Sequence, residues 1–118
     1  MNLDKVKIAV FGLGYVGLPL AIEFSKKYSV IGFDINSSRV NELRFFKDIT
    51  NEVESETIEA QINNKSLLLT NDLINIKDCN IYIVTVPTPV DENKIPDLSY
   101  ILNASKQISQ NLKKADVV

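Results

Sequence analysis

Apolar residues follow two rhythms along this chain of 118 residues. Short unbroken runs alternate with stretches in which apolar positions recur every three or four residues. The run Val6-Lys7-Ile8-Ala9-Val10-Phe11 predicts a first strand and residues 28–33 a second. Residues 67–70 predict a short third strand. Residues 80–86 are β-branched and aromatic with almost no charge, as suits a fourth strand covered on both faces. Leu18, Ala21 and Ile22 predict a helix over 15–27, and Val40, Leu43 and Phe46 one over 36–47. Ile58 and Ile62 anchor a more polar helix over 53–63, and residues 71–78 predict a turn or short helix. Pro19 falls near the first turn of its helix, where a backbone N–H has no intrahelical partner to lose. Pro87 and Pro89 end the fourth strand, and residues 91–96 predict a polar loop. The last helix takes Asp97 as its cap and Leu98, Ile101, Leu102, Ile108 and Leu112 as its apolar stripe. Residues 115–118 predict the opening of a fifth strand, cut short by the end of the sequence. Strands alternating with helices predict an α/β fold: a doubly wound parallel sheet with right-handed crossovers, order 3-2-1-4-5.

The turn after the first strand carries chemistry. Gly12-Leu13-Gly14-Tyr15-Val16-Gly17 follows that strand directly, and Asp34 ends the second, 22 residues after Gly12. Strand, glycine turn, helix, strand and terminal acid together predict a Rossmann-type dinucleotide site. Gly12 permits the tight turn, Gly14 lets backbone approach a pyrophosphate, and Gly17 lets the helix pack closely on the strand. The helix N-terminus offers N–H groups and a positive dipole end to the phosphates. Asp34 can accept from both ribose hydroxyls, because Asn36, Ser37 or Ser38 is available to cap the next helix. The backbone of Gly14, Tyr15, Val16 and Gly17 is expected at the pyrophosphate, with the Tyr15 ring either beside the ligand or packed under the turn as a core aromatic. Arg39 lies one turn into the second helix. It is read either as a flat cation over the adenosine or as a solvated helix charge. It could also face a 2′-phosphate, but Asp34 would repel one, so NAD is expected over NADP. Val86, Pro87 and Thr88 leave the fourth strand at the crevice where strand order reverses, and are expected to face the cofactor from the side opposite Asp34.

Composition removes other functions. With 45% apolar residues, the chain can bury the core of one domain. A net charge of −2 with no basic stripe argues against nucleic acid as a partner. No apolar run approaches the roughly 18 residues of a membrane span. Met1-Asn2-Leu3-Asp4-Lys5 is expected to lead straight into the first strand, with no signal-peptide pattern. One cysteine excludes an internal disulfide and fits a reducing cytoplasm. Cys79 precedes a buried strand and is read as a packing residue. Histidine is absent, which removes the commonest general base and the commonest metal ligand, and no metal site is expected within these residues. The acids Asp91, Glu92 and Asp97 are read as loop charges and a helix cap.

Four stretches narrow the picture. Gly12 to Ala21, Gly32-Phe33-Asp34-Ile35-Asn36, Arg39-Val40 and Val86-Pro87-Thr88-Pro89 together resemble the UDP-glucose/GDP-mannose dehydrogenase family over its N-terminal, cofactor-binding part. Thr50-Asn51-Glu52 and Pro96-Asp97-Leu98-Ser99-Tyr100 are similar to the branch acting on UDP-N-acetylhexosamines. Phe46 stands where the resemblance implies glycine. The resemblance implies a 6-dehydrogenase that takes a UDP-sugar to its uronic acid with two NAD, for surface polysaccharide synthesis. It implies a catalytic cysteine, lysine and asparagine beyond residue 118, with the UDP-sugar bound by that further part and a homodimeric parent enzyme. These residues are therefore expected to bind NAD without turning over substrate. The alternative is a non-catalytic module that senses NAD or NADH. A hydroxyacyl or phosphogluconate type of dehydrogenase is a further rival, against which Val86-Pro87-Thr88-Pro89 argues.

Overall fold

A computed structural model describes residues 3–118. Met1 and Asn2, the start of the expected lead-in, lie outside the described residues. Leu3–Lys5 forms a single 3-10 turn, so the chain coils once before the sheet. The strands are β1 (Lys7–Phe11), β2 (Ser29–Phe33), β3 (Leu67–Thr70) and β4 (Ile81–Val84). The helices are α1 (Gly17–Ser25), α2 (Ser37–Arg44), α3 (Ser55–Asn63) and α4 (Ser99–Ser109), with a 3-10 turn at Leu73–Ile76. The four strands are parallel in the order β3-β2-β1-β4. Val117 bridges Ile81 in parallel, its carbonyl accepting from Tyr82 N–H at 2.8 Å and its N–H donating to Asn80 at 3.0 Å. A fifth extended segment thus begins pairing beside β4, where the predicted order puts it.

The pleat of β1 sends alternate side chains to opposite faces. Ile8 and Val10 join Leu18, Ala21 and Ile22 of α1, Val40 and Leu43 of α2, and Ile58 of α3 in one core layer. Ala9 and Phe11 join Phe33, Ile76, Cys79, Tyr82, Ala104 and Ile108 in the other. Among the described residues no helix is long and apolar enough to cross a membrane.

The helices start later or end earlier than predicted, and short-range side-chain bonds mark two of the starts. Asn36 caps α2, its side chain accepting from Ser38 and Arg39 N–H. Asp97 accepts from Ser99 N–H at 2.9 Å, one residue ahead of the cap position held by Leu98. That bond holds its carboxyl below the ordinary range. The stripe expected on α4 is partly corrected: Leu98, Leu102 and Leu112 are exposed, and Ala104 and Ile108 are buried. Ala104 lets α4 approach the sheet closely, and its small side chain gives little hydrophobic signal. Beyond the helix, Asn111 ties the chain down by donating to the Ile76 carbonyl at 3.0 Å.

Phe46 closes α2 in an unusual way. Its φ is 65°, in the left-handed region. Phe46 N–H donates to Leu43 and Lys47 N–H to Glu42, the paired bonds of a Schellman ending in which the left-handed position normally falls to glycine. The ring is partly buried against the first core layer, which offsets the backbone strain. Both Phe46→Ala and Phe46→Gly should destabilise the fold by removing the ring. The glycine variant should be the more stable of the two by about 1 kcal/mol, since it relieves the left-handed strain that alanine keeps. Urea unfolding of the pair measures the difference, and an alanine variant as stable as the glycine one would contradict it.

Candidate functional site

A cleft of about 820 Å³ opens over the carboxyl ends of β1, β2 and β4, within the usual size of small-molecule sites. Gly12, Gly14, Tyr15 and Val16 line its floor, Asp34 and Arg39 one side, and Val86, Pro87 and Thr88 another. Of the residues expected to bind cofactor, only Gly17 stands off the cleft, buried at the start of α1. Ser99, Tyr100, Asn103 and Gln107 of α4 complete the wall, a contribution that the apolar reading of that helix missed.

The glycines divide their work. Gly12 has φ +94°, and a Cβ there would lie 2.7 Å from the Thr85 carbonyl oxygen. A Cβ on Gly17 would run into the Gly12 carbonyl and the Thr85 hydroxyl, so close packing at Gly17 is against the turn itself as much as the strand. A Cβ on Gly14 would meet nothing within 4 Å, because it would stand in the cleft. Among the described residues, the N–H groups of Gly14, Tyr15 and Val16 have no hydrogen-bond partner, and Val16 puts no side-chain cap on α1. Three donors at a helix N-terminus beside an open position suit a pyrophosphate.

The turn is clamped from several directions. Gly12 N–H donates to the Phe33 carbonyl at 2.8 Å. The Thr85 hydroxyl lies 2.8 Å from the Gly12 carbonyl and 3.1 Å from that of Phe11. Asp34 Oδ2 accepts from Leu13 N–H at 2.9 Å, and its Oδ1 accepts from Asn36 N–H at 2.9 Å. Each carboxylate oxygen keeps a second lone pair, and the group is half-buried at the rim of the cleft. Asp34 therefore has a structural role beside the expected ribose contact.

Arg39 is not a solvated charge. It is 8% exposed. Its Nε donates to the Leu13 carbonyl at 2.7 Å and its Nη1 to Asp48 Oδ1 at 3.0 Å, with Glu42 Oε2 at 3.4 Å. Its Nη2 is buried without a partner among the described residues. The side chain is pulled inward by two acids and a carbonyl, supplied by its own helix and by neighbouring loops. Tyr15 is likewise no core aromatic, being 70% exposed at the cleft.

Beyond the α4 wall, Thr85 and Asp48 also escaped the sequence reading. Thr85 directly follows the apolar strand β4, and that polar break in the run was the available signal. Asp48 has a fully buried side chain. It accepts from Thr50 N–H and hydroxyl, Glu52 N–H, Val53 N–H and Arg39. Burial pushes its carboxyl up, but the bonds from Thr50, Val53 and Arg39 outweigh that and hold it below the ordinary 3.8. Cys79 is buried away from the cleft, and burial pushes its thiol up to about 11, which suits packing and not nucleophilic work.

The family model for the NAD-binding domain of the UDP-glucose/GDP-mannose dehydrogenases matches residues 6–118. The chain belongs to this family. It is 50% identical over 116 residues to a UDP-N-acetyl-D-glucosamine 6-dehydrogenase of Pseudomonas aeruginosa, covering 98% of this chain and 27% of the relative. It is 44% identical over 117 residues to the enzyme of the same name from Salmonella typhi, covering 99% of this chain and again 27% of the relative. The structure of a UDP-D-ManNAc dehydrogenase from Pyrococcus horikoshii superposes with a TM-score of 0.87 at 30% identity, over 95% of this chain and 27% of that one. The chain thus spans about a quarter of the length of these relatives, and its part of the family fold is the part that takes NAD. The residues present fit that cofactor: an open Gly14, three unpaired N–H groups and a carboxylate at the tip of β2.

Proposed function

We propose that these residues form the NAD-binding portion of a UDP-sugar 6-dehydrogenase that converts a UDP-N-acetylhexosamine to its uronic acid for surface polysaccharide synthesis. The observation that carries the reading is the clamped glycine turn with its three unpaired N–H groups facing a cleft rimmed by Asp34. The sugar class rests on the two UDP-N-acetyl-D-glucosamine 6-dehydrogenase relatives. In this reading Gly14, Tyr15 and Val16 bind the pyrophosphate through backbone, and Gly12 and Gly17 set the turn. Asp34 holds the adenosine ribose, and Arg39 supports that end of the cleft. Val86, Pro87 and Thr88 wall the opposite end, where they would confine the cofactor's reacting end. NAD supplies the hydride acceptor; these residues orient it. The alcohol gives up two electrons to become an aldehyde and two more, with water, to become the acid. The sugar nucleotide and the groups that abstract protons belong to the part of the relatives beyond this chain's match, in a homodimeric cytoplasmic enzyme. The buried free thiol of Cys79 fits a reducing compartment.

The test is stoichiometric. Full-length protein given NAD and UDP-N-acetylglucosamine, or its manno or galacto epimer, should release two NADH for each uronic acid formed. One NADH with an aldehyde product, or none with any of the three sugars, would contradict the proposal. No feature of the cleft favours the NAD-sensing alternative, and the relatives named above are all dehydrogenases.

A further inference from the structure

The loop after α2 does not end at its own turn. Asp48 gathers Thr50, Glu52 and Val53 around one carboxylate, and the same carboxylate holds Arg39. Arg39 in turn holds the Leu13 carbonyl at the centre of the glycine turn, 26 residues earlier. Asp48 itself does not line the cleft. We infer that Asp48 is a positioning residue for the cofactor, acting through Arg39 to set the angle of the pyrophosphate-binding turn. The Thr50-Asn51-Glu52 stretch thereby gains a physical purpose, since it encloses the acid that locks the arginine. The inference rests on the proposed placement of the pyrophosphate at the turn.

The chemistry favours a relay over simple loop packing. A guanidinium is a planar fork that can bridge two acceptors at once, which an ammonium does poorly. Leu13 is gripped on both sides of its Cα, its N–H by Asp34 and its carbonyl, which shares a peptide plane with Gly14 N–H, by Arg39. Releasing the carbonyl side lets the peptide tilt, and the N–H groups of the next residues tilt with it. A buried arginine without Asp48 would also lose the nearer of its two counter-charges, leaving Glu42 at 3.4 Å.

Binding of NAD and of adenosine to the full-length protein separates the possibilities. Adenosine has the ribose and base but no phosphate to set on the turn. Asp48→Asn, which keeps size and removes charge, should weaken NAD about tenfold while adenosine changes less than twofold. Arg39→Lys should weaken NAD at least as much, and the double variant should be no weaker for NAD than Arg39→Lys alone. A role confined to folding would move both ligands together. Folded Asp48→Asn protein with unchanged NAD affinity, or with equal losses for NAD and adenosine, overturns the inference. Should Asp48→Asn not fold, Asp48→Glu decides, since it keeps the charge but displaces the carboxylate from Arg39: unselective or absent loss overturns the inference, selective loss supports it. Failure of the underlying site assignment is distinguishable, since it alone would leave NAD binding indifferent to Asp34→Ala.

Discussion

Gly17→Ala is expected to destabilise the protein by about 3 kcal/mol, the upper end of what an extra methyl does in a packed site. The new Cβ would meet the Gly12 carbonyl and the Thr85 hydroxyl. Neither can yield: the carbonyl belongs to a turn already at φ +94°, and the hydroxyl is pinned between two carbonyls. Gly14→Ala is the matched control, because its Cβ enters open space. That variant should fold normally and lose NAD affinity instead, its methyl standing where backbone must approach phosphate. Denaturant unfolding with and without NAD reads both effects. Equal stability of the two alanine variants would show that the turn relaxes in a way the present packing does not allow.

Asp34→Ala should weaken NAD about a hundredfold, the loss of the two charge-assisted hydrogen bonds proposed to the ribose. It should also reduce stability by about 1–2 kcal/mol, since Leu13 and Asn36 N–H lose their acceptor. Helix capping should survive, because Asn36 does that work. The carboxylate also disfavours a 2′-phosphate by like-charge repulsion. NAD should therefore raise the melting temperature of the native protein more than NADP at equal concentration, and the variant should narrow that gap. Equal shifts in the native protein, or a variant that binds NAD as before, would remove Asp34 from the site.

Local signals explain what could be read directly from the residues. The glycine turn was legible because Gly12 and Gly17 leave no room for a side chain, a constraint acting within one motif. Strand order followed from alternation and handedness, and β4 was legible as a run without charge. What escaped depends on contacts made far along the chain. Arg39 is buried only because the loop holding Asp48 folds back over α2 and because Leu13 presents a carbonyl beneath it. No helical spacing contains that information. The orientation of α4 turns on Ala104, whose size matters only once the sheet lies opposite. Phe46 broke the glycine expectation, yet the backbone kept the glycine geometry, since the ring's burial compensates its strain.

A ligand pocket whose main chain is already fastened by Asp34, Arg39, Thr85 and Phe33 does not have to assemble itself around its guest. Loading nucleotide then requires little ordering of loops, so calorimetry should report a heat-capacity change no larger than the covered apolar surface demands. In the proposed two-step oxidation, which would have to discharge one reduced dinucleotide and admit a fresh one before its product is complete, such a standing berth would let exchange proceed at the pace of departure, with no refolding step between the two halves.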